Sequence, residues 1–208
     1  MNKEPNSNTL KTTPPIKVDL DEYRASLQKR LGIRQSFIVS LKEKLAVTGT
    51  NSESTNPVRI VFPEGSNAKV LRACEIILSE QIAIPVLLGN KQRISQMMDK
   101  LNLVGLQKSA EIITPSQADN RERYAAKLFE YRQRRGFTRD QCFSILKNEN
   151  YYGSMMVKLG DAEGLLSGVT QNYAETIRPA LQVLGSKEKT VIAGIYMMLF
   201  KEQVLFFA

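Results

Sequence analysis

The order of apolar segments in this sequence predicts an α/β fold built on a mainly parallel sheet. Val58–Phe62 is a short β-branched run that ends in the turn sequence of residues 63–65, and Ile84–Leu88 is a second such run that ends at Gly89. Helical periodicity follows each run, and Glu111–Thr114 is a third, shorter strand. Alternating strands and helices place the strands side by side in one parallel sheet with right-handed crossovers.

Helices are predicted around these strands from apolar spacing and from capping residues. Ser66 or Asn67 can cap the first, Gly136 ends the third, and Thr138 caps the fourth, because hydroxyl and amide side chains accept hydrogen bonds from the first free amides of a helix. The predicted ranges, in chain order, are residues 67–78, 91–101, 120–135 and 138–146.

The last third of the chain has a less regular pattern. Tyr151–Leu159 is a mixed segment, Leu165–Ser167 resembles a strand, and Tyr173–Leu184 has helical spacing with a kink allowed at Pro179. Two apolar runs follow, at residues 191–199 and 204–207. We expect the second of these runs to be a buried parallel strand, which at the end of a sequence suggests truncation.

The first 57 residues differ in composition from the rest. Residues 1–16 are polar and contain three prolines, Asp21–Leu45 has helical spacing, and Thr48–Asn56 is a polar linker. We therefore expect three parts. They are a disordered tail with a helical arm and linker (residues 1–57), a first partial α/β subdomain (58–150) and the start of a second subdomain (151–208).

Composition excludes several classes of site. The chain has no histidine, so Ser-His-Asp and Cys-His pairs and histidine-containing zinc sites are excluded. Two cysteines, Cys74 and Cys142, lie in helix-like apolar patterns and favour a reducing, cytoplasmic location over a disulfide scaffold. The net charge of +8 is spread along the chain, which favours anionic metabolites over nucleic acid as ligands. Neither a signal peptide nor a membrane-spanning segment is expected.

Four segments carry a resemblance to a known family. They are VRIVFPEG (Val58–Gly65), IPVLLGN (Ile84–Asn90), YYGSMMVKLGDAEGLLSG (Tyr151–Gly168) and IRPALQVLG (Ile177–Gly185). In this order and spacing they resemble phosphate acetyltransferase and phosphate butyryltransferase, over roughly residues 57–208. The upstream LDEYRASLQKRLG resembles the connector that joins the dehydrogenase part of a hybrid NADP-dependent malic enzyme to its transferase-like C-terminal domain.

The resemblance implies a truncated three-layer sandwich of the isocitrate/isopropylmalate dehydrogenase-like transferase type. It also implies transfer of an acetyl group between coenzyme A and inorganic phosphate, with coenzyme A or acetyl-CoA as ligand and no tightly bound cofactor. A truncated sheet would expose an unpaired edge, which favours self-association, so we also expect a homo-oligomer. In the family a later Ser-Arg pair and an acidic residue are important for acyl transfer, and they have no counterpart here. The resemblance therefore implies a catalytically impaired piece.

Five residues are candidates for binding the phosphates of coenzyme A. Arg132 and Arg178 match arginines of the family motifs, and a guanidinium donates two parallel hydrogen bonds to a phosphate. Ser167, Gly168 and Thr170 lie between a strand and a helix, where free amides attract anions. The alternatives are a solvated basic helix end for Arg132 and an ordinary turn for the loop.

Three functions remain open from the sequence. The first is an acyltransferase that uses acetyl-CoA and phosphate. The second is a regulatory module that senses acetyl-CoA, oligomerises and has no turnover, which Tyr173 favours because active enzymes often carry a small hydroxyl residue there. The third is a fragment without activity of its own, and a nucleic-acid binder is less favoured than all three.

Overall fold

The computed structural model describes residues 58–185, 193–200 and 203–208. The described residues fall into two units, of which the larger ends at Ala193 and the smaller contains Gly194–Ala208. The predicted tail, arm and linker of residues 1–57 lie outside the described residues. None of the described helices is long and apolar enough to span a bilayer.

A parallel sheet forms the centre of the larger unit, as the sequence predicts. Its strand order is β3-β2-β1-β4, and Val61 of β1 pairs with Val86 on one side and Leu165 on the other. Because all four strands run the same way, their carboxyl ends lie along one edge of the sheet. The strands are β1 (Arg59–Phe62), β2 (Ile84–Leu88), β3 (Glu111–Ile113) and β4 (Gly164–Leu165).

Seven helices surround the sheet in the described residues of this unit, and a 3₁₀ turn at residues 133–135 follows the fourth. Two predicted caps are confirmed, since the Asn67 side chain accepts from the amides of Lys69 and Val70, and Thr138 forms a capping box with Gln141. The helices are α1 (Ala68–Ser79), α2 (Lys91–Leu101), α3 (Val104–Ser109), α4 (Arg121–Arg132), α5 (Arg139–Ile145), α6 (Glu149–Leu159) and α7 (Tyr173–Val183).

Two hydrophobic cores lie on opposite faces of the sheet. Phe62 and Leu87 belong to the core with helices α1, α2 and α3, whereas Val61, Val86 and Leu88 belong to the core with helices α4 to α7. The change of face between consecutive residues follows from the two-residue period of a strand. Helices on both faces of a parallel sheet confirm the predicted three-layer α/β sandwich.

Helices α3 and α6 are missing from the sequence-based prediction. All residues from Asn150 to Met156 of α6 are buried, so the helix lacks the one-sided apolar stripe by which a surface helix is recognised. Gly153 lies in its centre because a Cβ there would be 2.7 Å from Leu165 Cδ1 and 3.0 Å from Val61 Cγ1. The predicted boundary at residue 150 falls inside α6, and the division into subdomains stays a prediction.

The described part of the smaller unit contains an antiparallel hairpin. Strand β5 (Tyr196–Leu199) pairs with β6 (Val204–Phe207), and the Phe200 amide donates to the Gln203 carbonyl at 2.9 Å. The expectation of a buried parallel strand at residues 204–207 is therefore wrong. The connection of four residues is too short for a parallel crossover, and Phe206 and Phe207 are exposed.

Replacing Gly65 tests the close approach of β1 and β2 at the carboxyl edge. In Gly65→Ala the new Cβ would lie 2.6 Å from the Leu88 carbonyl oxygen and 3.1 Å from Leu87 Cβ, so the backbone must shift. We expect the free energy of unfolding to fall by about 1–3 kcal/mol in chemical denaturation. Gly164→Ala, where a Cβ meets open space, is the control and should not be destabilised. Equal stability of the two variants would contradict the packing described.

Candidate anion-binding site

The carboxyl edge of the sheet brings together residues that are far apart in the sequence. Glu64 follows the end of β1, and residues 166–170 form the loop that follows β4, its neighbour. Ligands of open α/β sheets bind outside the carboxyl ends of the strands. The loop is therefore the place to look for the predicted anion contacts.

The Glu64 carboxylate is held by this loop. Its Oε2 atom accepts from the amides of Gly168 at 3.0 Å and Val169 at 2.8 Å. Its Oε1 atom accepts from the amide and the hydroxyl of Thr170, both at 2.5 Å. Gly168 has a φ of 108°, a conformation that glycine adopts readily and that turns consecutive amides toward one acceptor.

These hydrogen bonds keep Glu64 ionised although its residue is only 8% exposed. Burial raises the pKa of the Glu64 carboxyl, but the Thr170 hydroxyl and the three loop amides lower it by more, so that the pKa lies below its ordinary value of 4.5. The amides of the predicted anion site thus donate to a carboxylate of the same chain. An external anion at Gly168 and Thr170 would have to displace Glu64.

A second set of hydrogen bonds ties the same loop to helix α6. The Ser167 hydroxyl donates to Asn150 Oδ1 at 2.9 Å, and the Asn150 side-chain amide donates to the Gln171 side-chain oxygen. Asn150 is only 2% exposed, so these bonds replace its contacts with water. Ser167 therefore has a partner within the protein.

Arg132 and Arg178 lie on two different helices that both pack against α6. Arg132 ends α4, Arg178 lies in α7, and Tyr151 lies in α6 between them in sequence. Burial raises the pKa of the Tyr151 hydroxyl, and the positive charges of Arg178 and Arg132 oppose that rise. The Tyr151 hydroxyl donates to Gln182 of α7 at 2.5 Å. The fold therefore places the two predicted arginines on helices that flank the helix carrying Tyr151.

The two guanidinium groups have unused donors in the described part of the chain. Arg132 is half-buried, and its Nε atom is buried without a hydrogen-bond acceptor. Its guanidinium carbon lies 5.4 Å from the centre of the Phe137 ring. Arg178 is exposed and forms no ion pair with the described residues. Arg132 is therefore more than a solvated helix end.

The comparisons with known proteins agree with this fold. The family model described as Phosphate acetyl/butaryl transferase matches residues 45–208. The chain belongs to this family.

This chain aligns with only part of each family member or relative. A phosphate acetyltransferase of Thermoanaerobacterium thermosaccharolyticum is 38% identical over 62% of this chain and 38% of its own length. A probable NADP-dependent malic enzyme of Rickettsia prowazekii is 27% identical over 91% of this chain and 24% of its own length. A crystal structure of a phosphotransacetylase from Streptococcus pyogenes has a TM-score of 0.72 and 28% identity, and covers 84% of this chain and 50% of that chain. The chain thus spans half or less of these relatives' lengths.

Asp161, in the GDA sequence of this transferase-like domain, has a structural role. It accepts a hydrogen bond from the Tyr124 hydroxyl at 2.5 Å and forms an ion pair with Arg123. Burial, followed by the bond to Asp161, raises the pKa of Tyr124 above its ordinary range. Asp161 precedes β4, so it lies toward the amino edge of the sheet, away from the loop that holds Glu64.

Sequence reasoning missed Glu64, Asn150 and Tyr151 as parts of the site. Glu64 lies in the predicted turn of residues 63–65 and Tyr151 begins the segment with a mixed pattern, and both residues are buried. The available signal was the pairing of a carboxylate after one strand with a Gly-containing loop after another. No group of three or more Cys, Asp or Glu in the described ranges could hold a metal ion.

Lowering the pH should destabilise the domain, because protonation of the Glu64 carboxylate weakens its hydrogen bonds to the loop. Because its folded pKa is below the ordinary 4.5, its contribution to the free energy of unfolding is complete above about pH 4.5 and is lost as the pH falls through the lower folded pKa. Glu64→Gln should lower the free energy of unfolding by about 2 kcal/mol at neutral pH, and by less in acid. Urea denaturation over this pH range measures the difference.

Glu163→Gln is the matched control for that series. Glu163 also accepts a backbone amide of β1, from Arg59 at 2.6 Å, but it is exposed and lies at the opposite end of the strand. Its substitution should have a smaller effect. A difference between wild type and Glu64→Gln that stays constant with pH would contradict the ionised state of Glu64.

Proposed function

We propose that this chain is the acyl-CoA-binding part of a phosphate acetyl/butyryl transferase-like domain, and that Arg132 and Arg178 bind the phosphates of coenzyme A. The observation that carries the proposal is that both guanidinium groups have donors without acceptors in the described residues, since the buried Arg132 Nε atom is unsatisfied and Arg178 forms no ion pair there. Two arginines with free donors suit a ligand with several phosphate groups. The ligand is coenzyme A or acetyl-CoA, with inorganic phosphate as the second substrate in the family.

The chemistry of the family explains why such cations are useful. Attack on the acetyl carbonyl by phosphate or by the coenzyme A thiolate places negative charge on the carbonyl oxygen, and fixed donors stabilise that charge. Arg132 and Arg178 in this proposal bind and orient the ligand rather than take part in proton transfer. The loop residues support the site through hydrogen bonds, from Ser167 to Asn150 and from Gly168 and Thr170 to Glu64. The amides of Gly168 and Thr170 contact phosphate only if phosphate displaces the Glu64 carboxylate.

Binding without turnover is the outcome we propose for the chain by itself. The relatives named as phosphate acetyltransferase or phosphotransacetylase extend well beyond the matched region, which is 38% of one and 50% of another. The chain has no histidine, and its two cysteines are buried, so neither type of residue offers a general base or an accessible nucleophile.

A regulatory module of a malic enzyme is the second candidate. The similarity to the Rickettsia malic enzyme extends over 91% of the chain, compared with 62% for the Thermoanaerobacterium transferase, and so includes part of the N-terminal arm. Tyr173, at the start of α7, is 71% exposed and can contact a ligand or another subunit. Such a module would sense acetyl-CoA and pass the signal to a dehydrogenase.

Assembly and location are further parts of the proposal. The hairpin exposes large apolar side chains, including Tyr196, Phe206 and Phe207, and exposed apolar surface favours association, here into a homo-oligomer. Cys74 and Cys142 are unpaired and buried, which supports a cytoplasmic, reducing location.

Calorimetric titration with acetyl-CoA tests the proposed arginines. Arg132→Gln and Arg178→Gln should each weaken binding by about 10- to 100-fold, because each removes a charged donor to phosphate. Arg72→Gln is the control, since Arg72 is an exposed arginine of α1 in the other helical layer, and its affinity should equal that of the wild type. A folded wild-type chain that does not bind would contradict the proposal.

A phosphate-dependent assay of coenzyme A release on the same sample separates the candidates. No release together with binding supports the non-catalytic proposal. Release at the rate of a full-length transferase would show that the chain is an enzyme by itself, and the proposal of binding without turnover would be wrong.

A further inference from the structure

The loop after β4 is fixed at both of its ends by buried polar side chains. Glu64 accepts from the amides of residues 168–170, and Asn150 bonds to Ser167 and Gln171. The loop is also joined to β1 directly, because the Leu166 amide donates to the Val61 carbonyl at 2.9 Å. Little freedom remains for the backbone between β4 and α7.

This loop determines where helix α7 begins. Thr170, which donates two hydrogen bonds to Glu64, is two residues before Asn172. Asn172 is the N-cap of α7, and its side chain accepts from the Glu175 amide at 2.9 Å. Arg178 lies less than two turns into the helix. A shift of Thr170 therefore moves the whole first part of α7, including Arg178.

The C-terminal part of α7 is also fixed, by a hydrogen bond to α6. Gln182 of α7 accepts a hydrogen bond from Tyr151 of α6 at 2.5 Å, and Gln182 lies about one helical turn after Arg178. Asn150, next to Tyr151, connects the same helix to the loop. Helix α7 is thus held at its start through Glu64 and Asn150, and along its length through Tyr151.

We infer that Glu64 is a positioning residue that sets the place of Arg178 relative to Arg132 by holding the loop of residues 168–170. This inference rests on the proposed function, because it assigns Glu64 to the same acyl-CoA site. Glu64 does not contact the ligand. Its charge is already surrounded by four donors, so it stabilises the loop and repels a nearby phosphate less than an unpaired carboxylate would.

A double-mutant cycle with acetyl-CoA tests the link between Glu64 and Arg178. Glu64→Gln should weaken binding about 10-fold in the wild-type background and less than about 2-fold in the Arg178→Gln background, because the positioned side chain is then absent. Glu163→Gln should change neither affinity. An equal loss in both backgrounds would mean that Glu64 acts only through general stability, and would overturn the inference.

Hydrogen exchange without ligand makes the result independent of the proposed function. The amides of residues 168–170 and the first turn of α7 should exchange at least about 10-fold faster in Glu64→Gln, and at the wild-type rate in Glu163→Gln. Unchanged exchange in Glu64→Gln overturns the inference. Wild-type protein that does not bind acetyl-CoA, but whose α7 loosens in Glu64→Gln, refutes the proposed function and leaves Glu64 as the residue that fixes α7.

Thr170→Val provides a milder variant in case Glu64→Gln does not fold. It removes the hydroxyl donor to Glu64 Oε1 and retains the three backbone amides. We expect the same pattern of exchange and affinity changes at about a third of the size on a logarithmic scale. A folded Thr170→Val chain with wild-type exchange and affinity would count against the inference.

Discussion

Burying the Glu64 carboxylate is unfavourable unless protein donors replace the water that it loses. The loop after β4 supplies these donors, and it can do so only if β1 and β4 are neighbours with their carboxyl ends at the same edge. Residues 104 to 106 positions apart in the sequence are thereby joined. Satisfying this one charge therefore requires the observed pairing of β1 with β4 and the conformation of Gly168, and it holds the residues that lead into α7.

Because the loop amides are bound to Glu64, ligand binding near this site is left to side chains. Amides at the end of a strand can bind either a ligand anion or an internal carboxylate, and here they bind the internal one. The two arginines that match the family motifs, Arg132 and Arg178, lie on helices instead. A site of this kind depends on the relative position of helices, so the fixing of α7 bears directly on its geometry.

Much of the fold follows from local patterns in the sequence. Strands β1 and β2, helices α1, α2, α4 and α5, and the caps at Asn67 and Thr138 are all predicted from periodicity and capping chemistry. Helix α6 is not, because burial on every side removes the periodic signal, and Gly153 argues locally against a helix. The hydrogen bonds of Glu64 depend on which strands are neighbours, and a single sequence does not give that pairing. The two arginines were found only because family motifs contain them.

Two arginines at opposite ends of α4 differ in how their donors are used. Arg121 is buried, and its guanidinium donates to the carbonyl of Phe143 at 3.2 and 2.9 Å and to that of Ser116 at 3.0 Å. It therefore joins α4 to the segment around α5, and an anion would gain little from it. Arg132 is also held against an aromatic ring, but its Nε atom has no acceptor in the described part of the chain. Because an unsatisfied buried donor costs about 1–3 kcal/mol, a ligand phosphate that reached Arg132 would recover part of that energy, whereas none is recoverable at Arg121.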